Sequence, residues 1–316
     1  MYRRKIQLVA GTTYSISLPK DWVRKNNLKE QNEVVMTEKN DRTLVLSSHA
    51  SEEKELNSIS LNIDEYVHDI DQILFAIYYL GIENITLFSK NELAKDSKSR
   101  IRKTLVHMSG TEIVLEDKNK MVIRVLLDKS KVSIKHIIYR IYLIIELSAT
   151  NLLEGFDIEE IKINEAEIDR LYHLSAKIVS LALIDTNILQ SSEIKNASLI
   201  PSYFLISKRL ENIADSINHL ADYMQKNSTS FESKKEILAF VKSELGRSIS
   251  YLMKKPLKLF EKIGKEDANK MLRITEKIKD KSITSYLGDI IRYIVDIEEE
   301  IVNISFYEHL IRENVL

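Results

Sequence analysis

Two rows of carboxylate and imidazole side chains are the residues of this sequence whose types and spacing best suit chemistry. Each row has Glu, Asp and His four residues apart, and the members are Glu165, Asp169 and His173, then Glu211, Asp215 and His219. Residues four apart lie on one face of a helix, so each row forms a line of potential ligands. Carboxylate oxygens and imidazole nitrogens bind zinc, iron or manganese. The sequence therefore predicts a divalent or transition metal site made by two consecutive helices.

A solvated helix face is the alternative interpretation of the same rows. In each helix the row lies about 180° from an apolar stripe, at about 100° of rotation per residue. The stripes are Ile168, Leu171, Ile178 and Ala182 in the first helix, and Ile206, Leu210, Ile213, Ile217, Leu220 and Met224 in the second. Carboxylates four apart repel one another unless a cation offsets them. The repetition on a second helix favours a metal site, provided that the helices pack side by side at the same level.

Four further carboxylates repeat part of the pattern near the end of the chain. Glu276 and Asp280 are four residues apart, and so are Asp296 and Glu300. These pairs lack the residues that flank the first two rows. We therefore treat them as weaker metal candidates.

The composition indicates a helical protein without cysteine chemistry. The 316 residues suggest two or three domains, and helices should dominate because only 7 residues are Gly and 3 are Pro. The absence of Cys excludes disulfides, iron–sulfur clusters and thiol catalysis. The net charge of −1 gives no overall attraction to nucleic acid, so any such binding must be local.

The sequence favours a cytoplasmic protein that is neither membrane-spanning nor an enzyme. The longest apolar run, at 137–147, includes Arg140 and Glu146 and is too short for a bilayer. No signal-like apolar run follows the basic start, and no Gly-rich phosphate loop or nucleophile elbow is present. His68 and His107 stand alone and are interpreted as surface residues. A metal-activated hydrolase is not favoured, because both rows are expected to face outward.

Hydrophobic periodicity divides the chain into regions. Residues 1–48 alternate as strands do, with a short helix opened by Pro19 and a hairpin turn at 39–42. The charged residues 49–60 are predicted to be a linker, and strands alternating with helices predict a small α/β unit at 60–130. Beyond Ser133 the pattern predicts two three-helix halves, 133–227 and 231–316. The predicted helices are 133–154, 162–187, 198–226, 232–263, 265–280 and 283–313. The expected fold class is therefore mainly α with a small β N-terminal domain.

Six basic residues surround the predicted strands and short helix of residues 1–48. They are Arg3, Arg4, Lys5, Lys20, Arg24 and Lys25. Basic side chains beside β elements suit the phosphates of DNA, and a solvated basic face is the alternative. A unit of this size has too few residues for a complete core, which favours a homodimer.

The same segment resembles the AbrB/MazE/SpoVT swapped-hairpin family. The match runs through Arg4-Lys5-Ile6-Gln7, Gly11, Ser15-Ile16-Ser17-Leu18-Pro19-Lys20-Asp21-Trp22, Leu28 and Val34. Gln31-Asn32 stand where the family usually has Gly-Asp before its third strand. The resemblance implies an interleaved dimer whose basic strands and loops touch DNA.

The helical region resembles the PhoU family at Glu165-Ala166-Glu167-Ile168-Asp169-Arg170-Leu171 and at Arg209-Leu210-Glu211-Asn212-Ile213-Ala214-Asp215. In the second block, Asn212 replaces the family's Arg, Ala214 its Gly, and His219 its Asn. The resemblance implies metal clusters held by Glu/Asp-x-x-x-Asp pairs. It also implies phosphate signalling with a Pst-type transporter and a sensor kinase. With segments 109–117 and 126–128, the whole arrangement resembles the archaeal phosphate-uptake regulators.

Two functions stay open at this point. The first is a regulator of phosphate uptake that binds DNA through its N-terminal domain and a metal through its PhoU-like bundle. The alternative is a protein-interaction adaptor that acts on a Pst-type phosphate transporter or a sensor kinase. In that case the N-terminal domain serves only for dimerisation.

Overall fold

The computed structural model describes residues 3–38, 43–47, 58–154, 156–230, 234–254, 258–263 and 265–313. The chain divides into two compact units, Met1–Glu55 and Leu56–Leu316. The first holds short strands and one short helix, whereas most of the second is helical. The predicted fold class, mainly α with a small β N-terminal domain, is confirmed.

The N-terminal unit consists of two separate strand pairs and a helix. Strands β1 (Gln7–Val9) and β2 (Thr13–Ser15) are antiparallel, and helix α1 (Lys20–Lys25) follows Pro19. Strands β3 (Val35–Glu38) and β4 (Leu44–Ser47) form the second antiparallel pair. The turn predicted at 39–42 lies outside the described residues. No residue of this unit whose burial is described is buried, although a two-stranded pair is only marginally stable by itself.

The second unit begins with a four-stranded mixed sheet. Its elements are β5 (Ser58–Asn62), α2 (Ile70–Tyr79), β6 (Asn84–Phe88), α3 (Lys95–Val106), β7 (Thr111–Glu116) and β8 (Lys120–Val125). The strand order is β5-β6-β8-β7, with β5 and β6 parallel and the other neighbours antiparallel. Helix α2 is the crossover between the parallel strands. Apolar side chains of the sheet and both helices form one core.

Strand β5 corrects the sequence analysis, which placed the predicted linker across residues 49–60. Ile59 pairs with Ile85 of β6, so the linker prediction extends into the sheet. Residues 63–65 form a 3-10 turn capped by the Asn62 side chain, and α2 begins after it. At the end of α2, Gly81 has φ +80° and lies so close to Leu181 that a Cβ would be 2.7 Å from its Cδ2.

The rest of the second unit is a helical bundle. Its helices are α4 (Ile134–Glu154), α5 (Ile158–Ala182), α6 (Thr186–Ser191), α7 (Ile200–Lys226), α8 (Lys234–Lys254), α9 (Lys265–Glu276) and α10 (Lys281–Arg312). Helix α5 starts four residues before its predicted limit because Asp157 caps it, and α6 is a separate short helix. The predicted helix at 232–263 ends at Lys254, and the described residues 258–263 are not helical.

A single hydrophobic core extends through this bundle. Helix α7 is central and packs most extensively against α10 and α5. The two predicted three-helix halves therefore share one core rather than two. Every helix in the described part of the chain is too short or too polar to span a bilayer.

Candidate metal centre and nucleic-acid interface

Helices α5 and α7 are antiparallel neighbours, and cross-helix contacts set their register. At one level, Lys162 Nζ lies 3.7 Å from Asp222 Oδ1. About four turns further along, the hydroxyls of Ser175 and Ser207 share a hydrogen bond of 2.8 Å. The two predicted ligand rows lie between these contacts, so they occupy the same level of the bundle.

Three of the six row residues converge. Glu165 and Asp169 of α5 and Asp215 of α7 each offer an oxygen, and these oxygens all lie within 4.8 Å of one another. The three side chains are half-buried rather than directed to open solvent. Each helix considered alone predicts an outward-facing row. Glu165, Asp169 and Asp215 are instead partly covered, because α5 and α7 turn these side chains towards each other.

Burial and mutual repulsion disfavour ionisation of this carboxylate group. Burial raises the pKa of Asp169 to about 7, and the carboxylates of Glu165, Asp215 and Glu211 add to the rise. Burial also raises the pKa of Glu165, with Asp215 contributing, and the pKa of Asp215. Like charges at this separation require a proton or a cation to be accommodated. A bound metal ion would supply that compensation.

Glu211 belongs to the second row but is held by a lysine. The Lys208 ammonium donates hydrogen bonds of 2.7 and 2.6 Å to its two carboxylate oxygens. Lys208 also lies 4.8 Å from the centre of the Tyr172 ring. Burial raises the pKa of Glu211, and the hydrogen bond from Lys208 opposes that rise. Glu211 is therefore neutralised within the protein and is not part of the converging group.

The two row histidines are also outside the converging group. His173 stacks on Phe75 of α2 with ring centres 3.7 Å apart, and its Nδ1 shares a 2.5 Å hydrogen bond with the Tyr79 hydroxyl. Burial lowers the pKa of His173 to about 4, so its imidazole is neutral. His219 is exposed, and its ring centre lies 6.0 Å from that of Tyr286. Metal ligation by either stays a prediction.

His107 is the imidazole that the sequence analysis missed. It follows α3, and its Nδ1 lies 3.9 Å from Asp169 Oδ2. That nitrogen is buried and has no hydrogen-bond partner among the described residues. Burial lowers the pKa of His107, which keeps the ring neutral and able to ligate. His107 and α5 come together only because the α/β part packs against the bundle. The spacing of residues along the sequence therefore could not have predicted this contact.

The donor set fits a transition metal. Three carboxylates supply oxygen, which suits manganese, and a neighbouring neutral imidazole adds a nitrogen that suits iron or zinc. The part of the structure that is described holds this one group of three potential ligands. The site would be open to a small number of waters because its residues are half-buried.

Asp280, one of the weaker metal candidates of the second half, lies at a helix start. Its carboxylate caps α10, accepting hydrogen bonds from the backbone N–H of Ser282 at 2.9 Å and of Ile283 at 3.3 Å. It also accepts a 2.9 Å hydrogen bond from the Tyr223 hydroxyl. Glu276, four residues earlier, is exposed at the end of α9. Asp280 therefore has a capping role, and metal ligation by this pair stays a prediction.

The other weaker pair has structural partners as well. Asp296 Oδ2 lies 2.8 Å from Arg209 Nε in an ion pair between α10 and α7. Glu300 accepts a 3.3 Å hydrogen bond from the Asn303 side chain. Among the described residues, none of the four weaker candidates joins a group of three potential ligands.

The six basic candidates of the N-terminal unit are all exposed: Arg3, Arg4, Lys5, Lys20, Arg24 and Lys25. None of them forms an ion pair within the part of the chain that the structure describes. Exposed apolar side chains accompany them, including Ile6 at 69 % and Tyr14 at 73 % exposure. The described part of the unit therefore presents exposed positive charge together with exposed apolar area.

A family model described as "Antidote-toxin recognition MazE, bacterial antitoxin" matches residues 7–54. The N-terminal domain is MazE-like. Comparison with curated proteins and with solved structures finds no match. The MazE-like domain spans the strands β1 to β4 and α1, in agreement with the AbrB/MazE/SpoVT resemblance. A domain of this kind is compatible with a DNA-binding regulator.

Proposed function

We propose that the chain is a dimeric DNA-binding regulator whose helical bundle binds a transition metal ion. The single observation that carries the proposal is the MazE-like domain with its exposed, unpaired basic side chains. Proteins that hold DNA mainly through phosphates use exposed Lys and Arg in this way.

Dimerisation follows from the apolar surface of the MazE-like domain. Its exposed apolar residues include Ile6, Leu8, Val9, Tyr14, Ile16, Met36 and Leu44. Leaving so many large apolar side chains in water is unfavourable, since burial contributes about 25 cal/mol per Å². A second copy of the same domain would cover them, and two strand pairs from each chain would make one larger core.

The metal centre supports a sensing or adaptor role for the bundle. Glu165, Asp169 and Asp215 converge, none of them forms an ion pair with Lys or Arg in the part of the chain that is described, and His107 approaches from the α/β part. The bound ion would hold α5, α7 and the end of α3 together. On the resemblance of both rows to the PhoU family, we propose that the regulated process is phosphate uptake.

Binding to duplex DNA tests the proposal. Fluorescence anisotropy with a labelled duplex compares the intact protein with a chain that begins at residue 58. The intact protein should bind at low salt, and the shortened chain should not, because it lacks the basic surface. If the intact protein does not bind the duplex at 50 mM salt, the proposal that it is a DNA-binding regulator is wrong.

A protein-interaction adaptor is the second candidate. The matched family description names the recognition of a toxin, which is a contact between proteins. In that case the MazE-like domain would dimerise and contact proteins such as transporter or sensor-kinase components. Retention of the dimer without DNA binding in the same assay would favour it.

A further inference from the structure

A cavity that is distinct from the metal centre lies between α9 and α10. Its volume is about 480 Å³, and Arg209 of α7 contributes to its wall. Arg209 is two residues before Glu211, which places the two side chains about 200° apart around the helix. The cavity and the ligand rows are therefore on opposite sides of α7, and occupation of one does not require the other.

The size and walls of the cavity suit a small, mostly apolar molecule. Ligand sites commonly have volumes of about 300–1,000 Å³ and apolar walls with a few polar groups. The apolar part of the wall comes from Ile263, Leu272, Ile291 and Val295, among others. These side chains come from both helices and from the segment before α9. A ligand of this kind would fill the space between the two helices.

The three cations that line the cavity each have a carboxylate partner. Arg209 pairs with Asp296, Lys262 with Glu299, and Arg292 with Asp289, which lies outside the lining. A multiply charged anion is disfavoured, since it would meet the two lining carboxylates.

Arg209 is the cation best placed to bind the anion. Its guanidinium lies 5.1 Å from the centre of the Tyr293 ring, and its Nε lies 2.8 Å from Asp296 Oδ2. The angle at that contact is not that of a hydrogen bond, and the buried Nε has no hydrogen-bond partner among the described residues. A guanidinium has five N–H donors in a planar fork that matches a carboxylate. Most of this donor capacity is available to a ligand.

We propose that this cavity binds a small apolar molecule with one carboxylate. The carboxylate accepts hydrogen bonds from Arg209, and the apolar body packs between α9 and α10. Such a ligand matches the walls in polarity and the guanidinium in shape.

Calorimetry with the intact protein tests the proposal by comparing octanoate with octanol. The two probes have the same chain length, but only octanoate has the charge. Octanoate should bind at least tenfold more tightly, which corresponds to about 1.4 kcal/mol. Equal affinity for both probes, or no binding of octanoate at millimolar concentration, would overturn the proposal.

Two variants locate the site. Arg209→Met should abolish the preference for octanoate, whereas Arg102→Met, which removes another guanidinium paired with a carboxylate, should keep it. Leu272→Trp should fill the cavity and prevent binding of both probes. Octanoate binding that is unchanged in Arg209→Met or in a folded Leu272→Trp would place the site elsewhere and refute the proposal. If circular dichroism shows that Leu272→Trp is unfolded, the Arg209→Met comparison decides.

Asp215→Asn separates this inference from the metal centre. It should leave octanoate affinity unchanged, because Asp215 does not line the cavity. A tenfold loss of octanoate affinity in Asp215→Asn would contradict an independent site.

Discussion

The two compact units of the chain differ in their net charge and in how much of their apolar surface is buried. Residues 1–48 hold nine Lys or Arg and five Asp or Glu, whereas the remaining residues hold 37 and 42. The second unit buries its apolar residues in two cores. In the MazE-like domain, no residue whose burial is described is buried. The described part of the domain therefore leaves its apolar and its basic side chains exposed.

The difference shows which kind of partner each unit needs. The MazE-like domain has unpaired cations and apolar surface, which a second copy and a polyanion would satisfy. The second unit is complete in its packing but gathers three half-buried carboxylates, which a cation would satisfy. The first unit thus leaves apolar and basic side chains exposed in its described part, and the second gathers carboxylates.

Deletion of the MazE-like domain should have the largest effect, because it removes the dimer contact. A chain that begins at residue 58 retains both hydrophobic cores and should fold. Light scattering should give the mass of a dimer for the full chain and of a monomer for the shortened one. If the shortened chain remains dimeric, the dimer interface lies in the second unit, and the proposed difference between the two units is wrong.

Metal binding should raise the melting temperature of the wild type but not of Asp215→Asn. The aspartate supplies one of three converging oxygens, so its removal should lower metal affinity. Without metal, the same change removes like-charge repulsion and should leave stability equal or slightly higher. Differential scanning fluorimetry with manganese, iron and zinc measures both effects.

Asp280→Asn is the matched control, since the sequence pattern proposed Asp280 as a ligand as well. It should keep the full metal-induced shift, because Asp280 caps α10. If metal raises the melting temperature of the wild type and of Asp215→Asn alike, or of neither, the rows are a solvated face and not a metal site.

Asp280→Ala should have a smaller effect that does not depend on metal. Loss of a helix cap costs about 1 kcal/mol of unfolding free energy. Tyr223→Phe removes the other partner of the same carboxylate, so the two changes should not be additive in urea unfolding. Stabilisation by Asp280→Ala would contradict the capping role.

Hydrophobic periodicity predicted most of the helical region. The apolar stripe of α7, from Ile206 to Met224, lies in the core as expected. Strand β5 was missed because only Ile59 and Leu61 alternate in it, next to a highly charged segment. Such a short strand is stabilised by its neighbour β6, which the local sequence does not reveal.

The candidate site was predictable only as far as spacing along single helices allowed. Spacing found Glu165, Asp169 and Asp215, and the three-residue interval between Lys208 and Glu211 could have indicated their ion pair. The position of His107 depends on how the α/β part packs against α5. Spacing likewise could not distinguish a helix cap from a ligand.

The salt dependence of DNA binding tests the central claim most directly. The double variant Arg3→Ala/Arg4→Ala should bind duplexes of different sequence more weakly by a similar factor. The slope of log affinity against log salt should become less negative by about 0.9 for each phosphate that the variant no longer neutralises. The control Lys103→Ala/Lys118→Ala removes two exposed lysines of the second unit and should leave the slope unchanged. A slope that is the same in the wild type and the arginine variant would contradict DNA binding through the MazE-like domain.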